Sequence, residues 1–180
     1  DQKEMFGDLI MLLAMIIILV YIVLASQFES FMSPFVIMFS IPFAFVGVLL
    51  GLWITGTPLG TMGMIGILIL MGIVVKNGIV LIDYTILMRE RGKSIAESSV
   101  IAAKSRLRPI LMTTLTTVLG MIPMAIGQGE GSEMWRSLGM VVAWGLSVST
   151  LVTLVIIPTI YASLATWQEK RAAKKAAAKA

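Results

Sequence analysis

Few side chains in this sequence can do chemistry, and one stands apart. Lys76 lies near the middle of an apolar run from about Met64 to Met88, beside Asn77 and seven residues before Asp83. A charge at the bilayer centre costs about 2.5–3.5 kcal/mol on insertion scales. A central lysine, unlike one near a helix end, does not readily snorkel to the headgroups. It is either a structural cation paired inside a bundle or a movable charge in ion or proton coupling, and the second reading is preferred. Asp83 shares its helical face, about 10.5 Å along the axis, too far for an assured salt bridge. It reads as a solvated acid near a helix end or as part of a path for protons. Asn77 is placed to hydrogen-bond across helices. A second run carries Thr113, Thr114, Thr116 and Thr117. Such hydroxyls often bond the carbonyl one turn back; the alternative is a bond to Lys76 or to a relayed water. Arg106 and Arg108, just before Pro109, most simply anchor that run in the headgroups.

The rest of the inventory excludes most other chemistry. The 180 residues include no histidine and no cysteine. There is thus no disulfide framework, no Cys or His zinc site, no thiol nucleophile and no imidazole base. No cofactor or metal site is expected, and no nucleophile–base pair suggests an enzyme. Hydrophobic residues make up 58%, charged residues 13%, and the mean hydropathy is +0.96. A soluble domain is about 45–50% apolar and about 25% charged. These values exclude a soluble domain, a disordered chain and a nucleic-acid-binding module. The expected class is an all-α polytopic membrane bundle in contact with lipid.

Five spans are predicted, because a helix needs about 20 apolar residues to cross about 30 Å of hydrocarbon. They cover about 9–25, 35–54, 64–88, 109–126 and 138–165. Barrel strands would alternate polar and apolar residues, and these runs are apolar all round. The acidic residues Asp1, Glu4 and Asp8 before the first run are unlike the basic start of a cleavable signal, so 1–7 reads as an outer stub.

Basic residues orient the spans. Arg89, Arg91, Lys93, Lys104, Arg106 and Arg108 lie between the third and fourth, and Lys170, Arg171, Lys174, Lys175 and Lys179 in the tail. The positive-inside rule puts both groups in the cytoplasm. Five crossings then leave the N-terminus periplasmic and the C-terminus cytoplasmic. Within the cytoplasmic segment 89–108, Ser94-Ile95-Ala96-Glu97 reads as a capping box. It opens a short helix to about Lys104 whose apolar residues suit the membrane surface. Pro109 suits the first turn of the fourth span. The tail 167–180 reads as a basic helix on anionic headgroups. Gly60, Gly63, Gly66, Gly72 and Gly78 permit close helix packing, and Pro42, Pro123 and Pro158 are expected to kink their spans. Trp53, Trp135 and Trp167 fall near span ends, as interfacial aromatics do.

One component is absent. A proton relay needs an acid whose protonation changes, and no span carries Asp or Glu near its centre. The partner carboxylate is therefore expected on another segment or another chain.

The motifs together resemble one family. Ala25-Ser26-Gln27-Phe28-Glu29-Ser30-Phe31 followed by Pro34-Phe35 resembles the link after the eighth helix of resistance-nodulation-division (RND) multidrug efflux pumps. Residues 72–83, Gly-Ile-Val-Val-Lys-Asn-Gly-Ile-Val-Leu-Ile-Asp, resemble the tenth helix. Ser105 through Thr114 resembles the entry to the eleventh, and Gly127 through Trp135 the outer loop before the twelfth. The likeness covers roughly residues 8–165, and the lysine at 76 points to the hydrophobe/amphiphile branch.

The resemblance implies a trimeric inner-membrane pump driven by the proton gradient, working with a periplasmic adaptor and an outer-membrane channel. In it two aspartates of the fourth helix take up protons, and Lys76 is engaged or released as they titrate. Thr113 joins that relay, and Arg106 lies toward the cytoplasmic proton exit. Asn77, beside Lys76, is added to the relay, and Asp83 to a possible proton path, from their positions in the sequence alone. The fourth-helix aspartates, the first seven helices and the periplasmic domains have no counterpart here. The relay acids would come from an N-terminal half or another RND chain, and no substrate site is placed. Two other classes fit five spans: a small membrane protein that binds and regulates or scaffolds a larger transporter, and a homo-oligomeric channel lined by Lys76 and the threonines.

Overall fold

The computed structural model describes residues 2–129 and 131–177, except the side chains of Gln2, Ala176 and Ala177. Asp1, Glu130 and residues 178–180, with Lys179 of the basic tail, lie outside the described residues. The described residues form six helices and no strand: α1 (Gln2–Phe28), α2 (Met32–Met38), α3 (Ser40–Thr55), α4 (Thr61–Glu90), α5 (Ile95–Ile126) and α6 (Ser132–Ala177). Five helical segments are long and apolar enough to cross a membrane, with α2 and α3 counting as one. The chain is thus a multi-pass all-α bundle.

The break between α2 and α3 follows from Pro42. Its missing N–H leaves the carbonyl of Met38 without the usual donor four residues on, and regular helix lapses at Phe39. Ser40 Oγ meanwhile donates to Ile37 O at 2.6 Å. Upstream, the chain turns at Glu29, whose φ is 47°. Ser30 Oγ accepts from Met32 N at 3.2 Å and helps start α2.

The segment before the fourth span differs from the expectation. Instead of a short surface helix and a new start at Pro109, one helix runs from Ile95 to Ile126 with Pro109 inside it. The start is as read: Ser94 Oγ accepts from Glu97 N at 3.3 Å, and Glu97 Oε2 accepts from Ser94 N at 3.4 Å. No glycine follows before Pro109 to stop the helix. Pro109 costs it only the bond to Ser105 O, and both residues are exposed, where water can hydrate that carbonyl. Likewise α5 and α6 continue through Pro123 and Pro158. Ser94→Ala removes the reciprocal cap and is expected to cost about 1 kcal/mol, read as faster amide exchange in the first turn of α5 with the rest of the helix unchanged.

Helix α6 is the pillar of the bundle and packs against α2, α3, α4 and α5. Its 46 residues span about 69 Å, so the basic tail continues the helix well past the hydrocarbon. Glycines set the close approaches. A Cβ on Gly47 would lie 2.7 Å from Val148 Cβ, one on Gly145 2.8 Å from Val48 Cγ2, and one on Gly139 2.8 Å from Ala125 N. Gly63 and Gly66 face Ser137 and Val141, and Gly78 faces Ile37. Gly60 and Gly72, expected to pack closely, have nothing within 4 Å of such a Cβ. The link between α3 and α4 is tied to α6 where Ser137 Oγ donates to Pro58 O at 3.1 Å.

Helix α1 stands at the edge. Only 6% of its membrane window is buried, against 56% for α4. Leu24 is its one fully buried side chain among those described, and Phe6, Leu9, Leu13, Ile17, Val20 and Phe28 lean on the core from a single face.

Candidate functional site

The packing contacts fix the relative depth of the helices. Helices α4 and α6 run parallel: Gly63 meets Ser137, Gly66 meets Val141 and Gly145 meets Leu70, a constant offset of 74–75 residues. Helices α5 and α6 run antiparallel, with Gly139 against Ala125 and Thr114 against Thr150. Helices α4 and α5 are antiparallel too, and Arg106 lies over the ring of Tyr84, 4.8 Å from its centre. At a common rise per residue, these registers bring Lys76 and Asn77 of α4, Thr113 and Thr114 of α5, and Ser149, Thr150 and Thr153 of α6 to one depth. A transverse polar layer therefore crosses the middle of the bundle.

Lys76 is on the exposed side of α4, in a stripe with Ile69, Gly72, Asp83, Leu87 and Glu90. The opposite face, from Leu70 and Val74 to Leu81 and Ile82, is buried. Among the described residues no carboxylate meets its ammonium. Asp83 shares the open stripe two turns nearer the basic end. Asn77, one residue round the helix, is turned inward and buried. Its side-chain amide makes no hydrogen bond among the described residues, so the cross-helix bond expected of it is not formed.

On α5, Thr113 is exposed at the depth of Lys76 and donates to Pro109 O at 2.9 Å. Thr116 and Thr117 bond their own helix in the same way, to Met112 O and Thr113 O. Thr114 points inward, its Oγ1 3.0 Å from Oγ1 of Thr150 in a buried contact. Arg106, Thr113 and Thr117 recur at seven and four residues and share a face. The Nε of Arg106 is shut away from solvent without a hydrogen-bond partner, alone among the described side chains.

At the basic end Arg89 donates to Glu169 Oε1 at 2.8 Å and to the Tyr161 hydroxyl at 3.4 Å. These residues, with Lys93 and Ser94, line a cleft of about 650 Å³. The ion pair is partly exposed and worth little on its own. Its cleft opens the basic end to water on the side of α4 that borders α6. Trp53 and Trp135 are exposed near helix ends and Trp167 is exposed within α6, where Arg171 stacks on it at 3.7 Å.

Sequence reasoning misses the hydroxyls of α6, Ser147, Ser149, Thr150 and Thr153, because nothing in their pattern sets them apart from self-bonded residues. Only the register of α6 brings them to the depth of Lys76.

Five membrane-long helices, a charged side chain on the open mid-depth face of one and a threonine-bearing helix beside it define a multi-pass protein with an intramembrane polar layer. The chain belongs to the AcrB/AcrD/AcrF family, the RND transporters, whose profile matches residues 1–165. It is 42% identical over 172 residues to the swarming motility protein SwrC of Bacillus subtilis, covering 95% of this chain and 16% of SwrC. It is 39% identical over 181 residues to the multidrug resistance protein MdtC of Proteus mirabilis, covering 98% of this chain and 18% of MdtC. Its fold is similar to the crystal structure of a heavy metal efflux pump in two crystal forms. The first gives a TM-score of 0.82 at 33% identity over 92% of this chain and 16% of the pump. The second gives 0.78 at 32% identity over 88% and 16%. The chain thus spans about a sixth of the length of these relatives.

Proposed function

We propose that this chain is the C-terminal membrane part of a proton-driven RND exporter and supplies the lysine side of its proton relay. The observation that carries the reading is Lys76 itself: a cation at mid-span, on an open face, level with Thr113 and met by no carboxylate among the described residues. Such a charge in hydrocarbon calls for a partner, and the acids that suit it stand on the fourth helix of the family. Lys76 would pair with those aspartates while they are ionised and be released as they take up protons from the gradient. Thr113 supports the lysine from α5, and Asn77 holds the same depth on the bundle side of α4. Asp83 and Arg106 lie toward the basic end, where protons would leave.

On this reading the chain alone does not couple transport. Its setting is the inner membrane, with the N-terminus periplasmic and the basic end cytoplasmic. It works within a trimer joined to a periplasmic adaptor and an outer-membrane channel. Lysine at position 76 favours the drug-exporting branch, and the likeness to a heavy metal efflux pump makes metal export the rival.

Carbodiimide coupling tests the pairing. In membranes holding the complete transporter, activation of carboxylates is expected to join Lys76 covalently to an acid of another segment, identified by mass spectrometry of the linked peptides. If Lys76 stays uncoupled while acids elsewhere in the membrane react, the pairing is wrong.

A further inference from the structure

The threonines of this bundle follow a habit. Thr55, Thr85, Thr113, Thr116, Thr117, Thr159 and Thr166 each donate to the carbonyl four residues back, at 2.7–2.9 Å. Self-bonding of this kind needs no partner helix. Thr114 departs from it. Its hydroxyl meets that of Thr150 across the α5–α6 interface at 3.0 Å, in a contact closed to solvent. Both residues have a carbonyl four residues back, at Ile110 and Leu146. The contact therefore holds two helices together through groups that have another partner if it opens.

Its position gives it leverage. Between Ile110 and Ala125, Thr114 is the only buried residue of α5, and Thr113 and Leu115 on either side are exposed. Only 17% of the membrane window of α5 is buried within this chain, and at mid-depth Thr114 is the one buried side chain with which α5 meets α6. Thr113 is the next residue, about 100° round the helix. Any roll that opens the contact carries Thr113 with it, out of its place beside the open face of α4. Lys76 is the titratable side chain of that layer, and the facing positions of α5 and α6 carry hydroxyls.

We propose that Thr150 is a positioning residue for the relay: by holding Thr114 it sets the roll of α5 and so the direction in which Thr113 faces at the depth of Lys76. This rests on the proton-relay reading above. Thr150 touches neither the lysine nor its partner acid, and it acts through Thr114 alone.

Two measurements on the complete transporter test it. Spin labels on the exposed Leu119 of α5 and Leu151 of α6 report the inter-helix distance in lipid without reference to transport. Thr150→Val, which keeps the shape and loses the hydroxyl, is expected to shift or broaden that distribution, and Thr150→Ser to preserve it. Export by Thr150→Val is expected to fall about three- to tenfold, the range for loss of one interhelical hydrogen bond in lipid, with a displaced pH profile. Thr150→Ser restores both, and Thr114→Val with Thr150→Val is no worse than either alone. An unchanged distance distribution, additive losses, or normal export by Thr150→Val beside a dead Lys76→Ala control overturns the role of Thr150. If Lys76→Ala itself still exports, the relay reading falls and this role with it, and the spin labels then report only whether the contact orders α5.

Discussion

Lys76→Ala in the complete transporter is expected to abolish proton-driven export while the protein still inserts and assembles. The two effects separate because Lys76 lies on an exposed face of α4 and no core contact depends on it. Removing a charge from mid-span even relieves an insertion cost of about 2.5–3.5 kcal/mol. The function suffers for the opposite reason. Breaking a buried ion pair by deleting one partner costs about 3–5 kcal/mol, because the other charge is left uncompensated. That is more than about a hundredfold in any equilibrium the pair governs. A relay acid without its cation keeps its proton and cannot cycle. Lys76→Arg keeps the charge but replaces a compact ammonium with a broad, planar head that hydrogen-bonds differently, so little export should return. Drug or metal efflux from energised vesicles, with protein level measured in the same membranes, decides it. Full export by a normally expressed Lys76→Ala protein would contradict the relay.

Much of this molecule is legible before any coordinates. Run lengths locate the five crossings, and the capping box at Ser94–Glu97 opens α5 where the residues say it should. Lys76 is conspicuous as a charge in an apolar run. What the chain hides is direction. Helices that are apolar all round carry no periodic stripe to say which side packs. Nothing in residues 64–88 therefore tells that Asn77 turns in while Lys76 and Asp83 turn out. That choice is made by the fit of two helices: Gly145 of α6 admits Leu70 of α4, and Gly63 and Gly66 of α4 admit Ser137 and Val141 of α6. The same holds for the threonines of α5. Four hydroxyls in five residues look equivalent, and only the antiparallel register with α6 singles out Thr114. Pro109 misleads for a related reason. A proline near an interface is tolerated inside a helix when its orphaned carbonyl reaches water, which depends on where the helix lies and not on the proline.

The polar layer and the glycine contacts are connected, because the glycines that bring α4 and α5 against α6 also hold Lys76 and Thr113 at one depth. If Gly139 were larger, α5 would have to move. A Cβ there would sit 2.8 Å from Ala125 N and 3.1 Å from both Ala125 Cα and Met121 O. These are backbone atoms with no rotamer to yield. Gly139→Ala is therefore expected to destabilise the bundle by about 1–3 kcal/mol through overpacking. It should also lower export beyond its effect on protein level, since α5 is displaced at the end that sets its register. Gly72→Ala and Gly120→Ala are the matched comparisons, with nothing within 4 Å of the added methyl. For this chain alone in lipid, both should unfold like the wild type in a denaturant titration. Within the complete transporter the expectation for Gly72 changes, because it lies one turn from Lys76 on the same open stripe of α4. If the acid-bearing helix packs along that stripe, a methyl at position 72 holds it off, and Gly72→Ala should lose export with no loss of stability in the chain alone. Equal export by Gly72→Ala and wild type would place the covering helix away from the Lys76 stripe, leaving the lysine to be met by water.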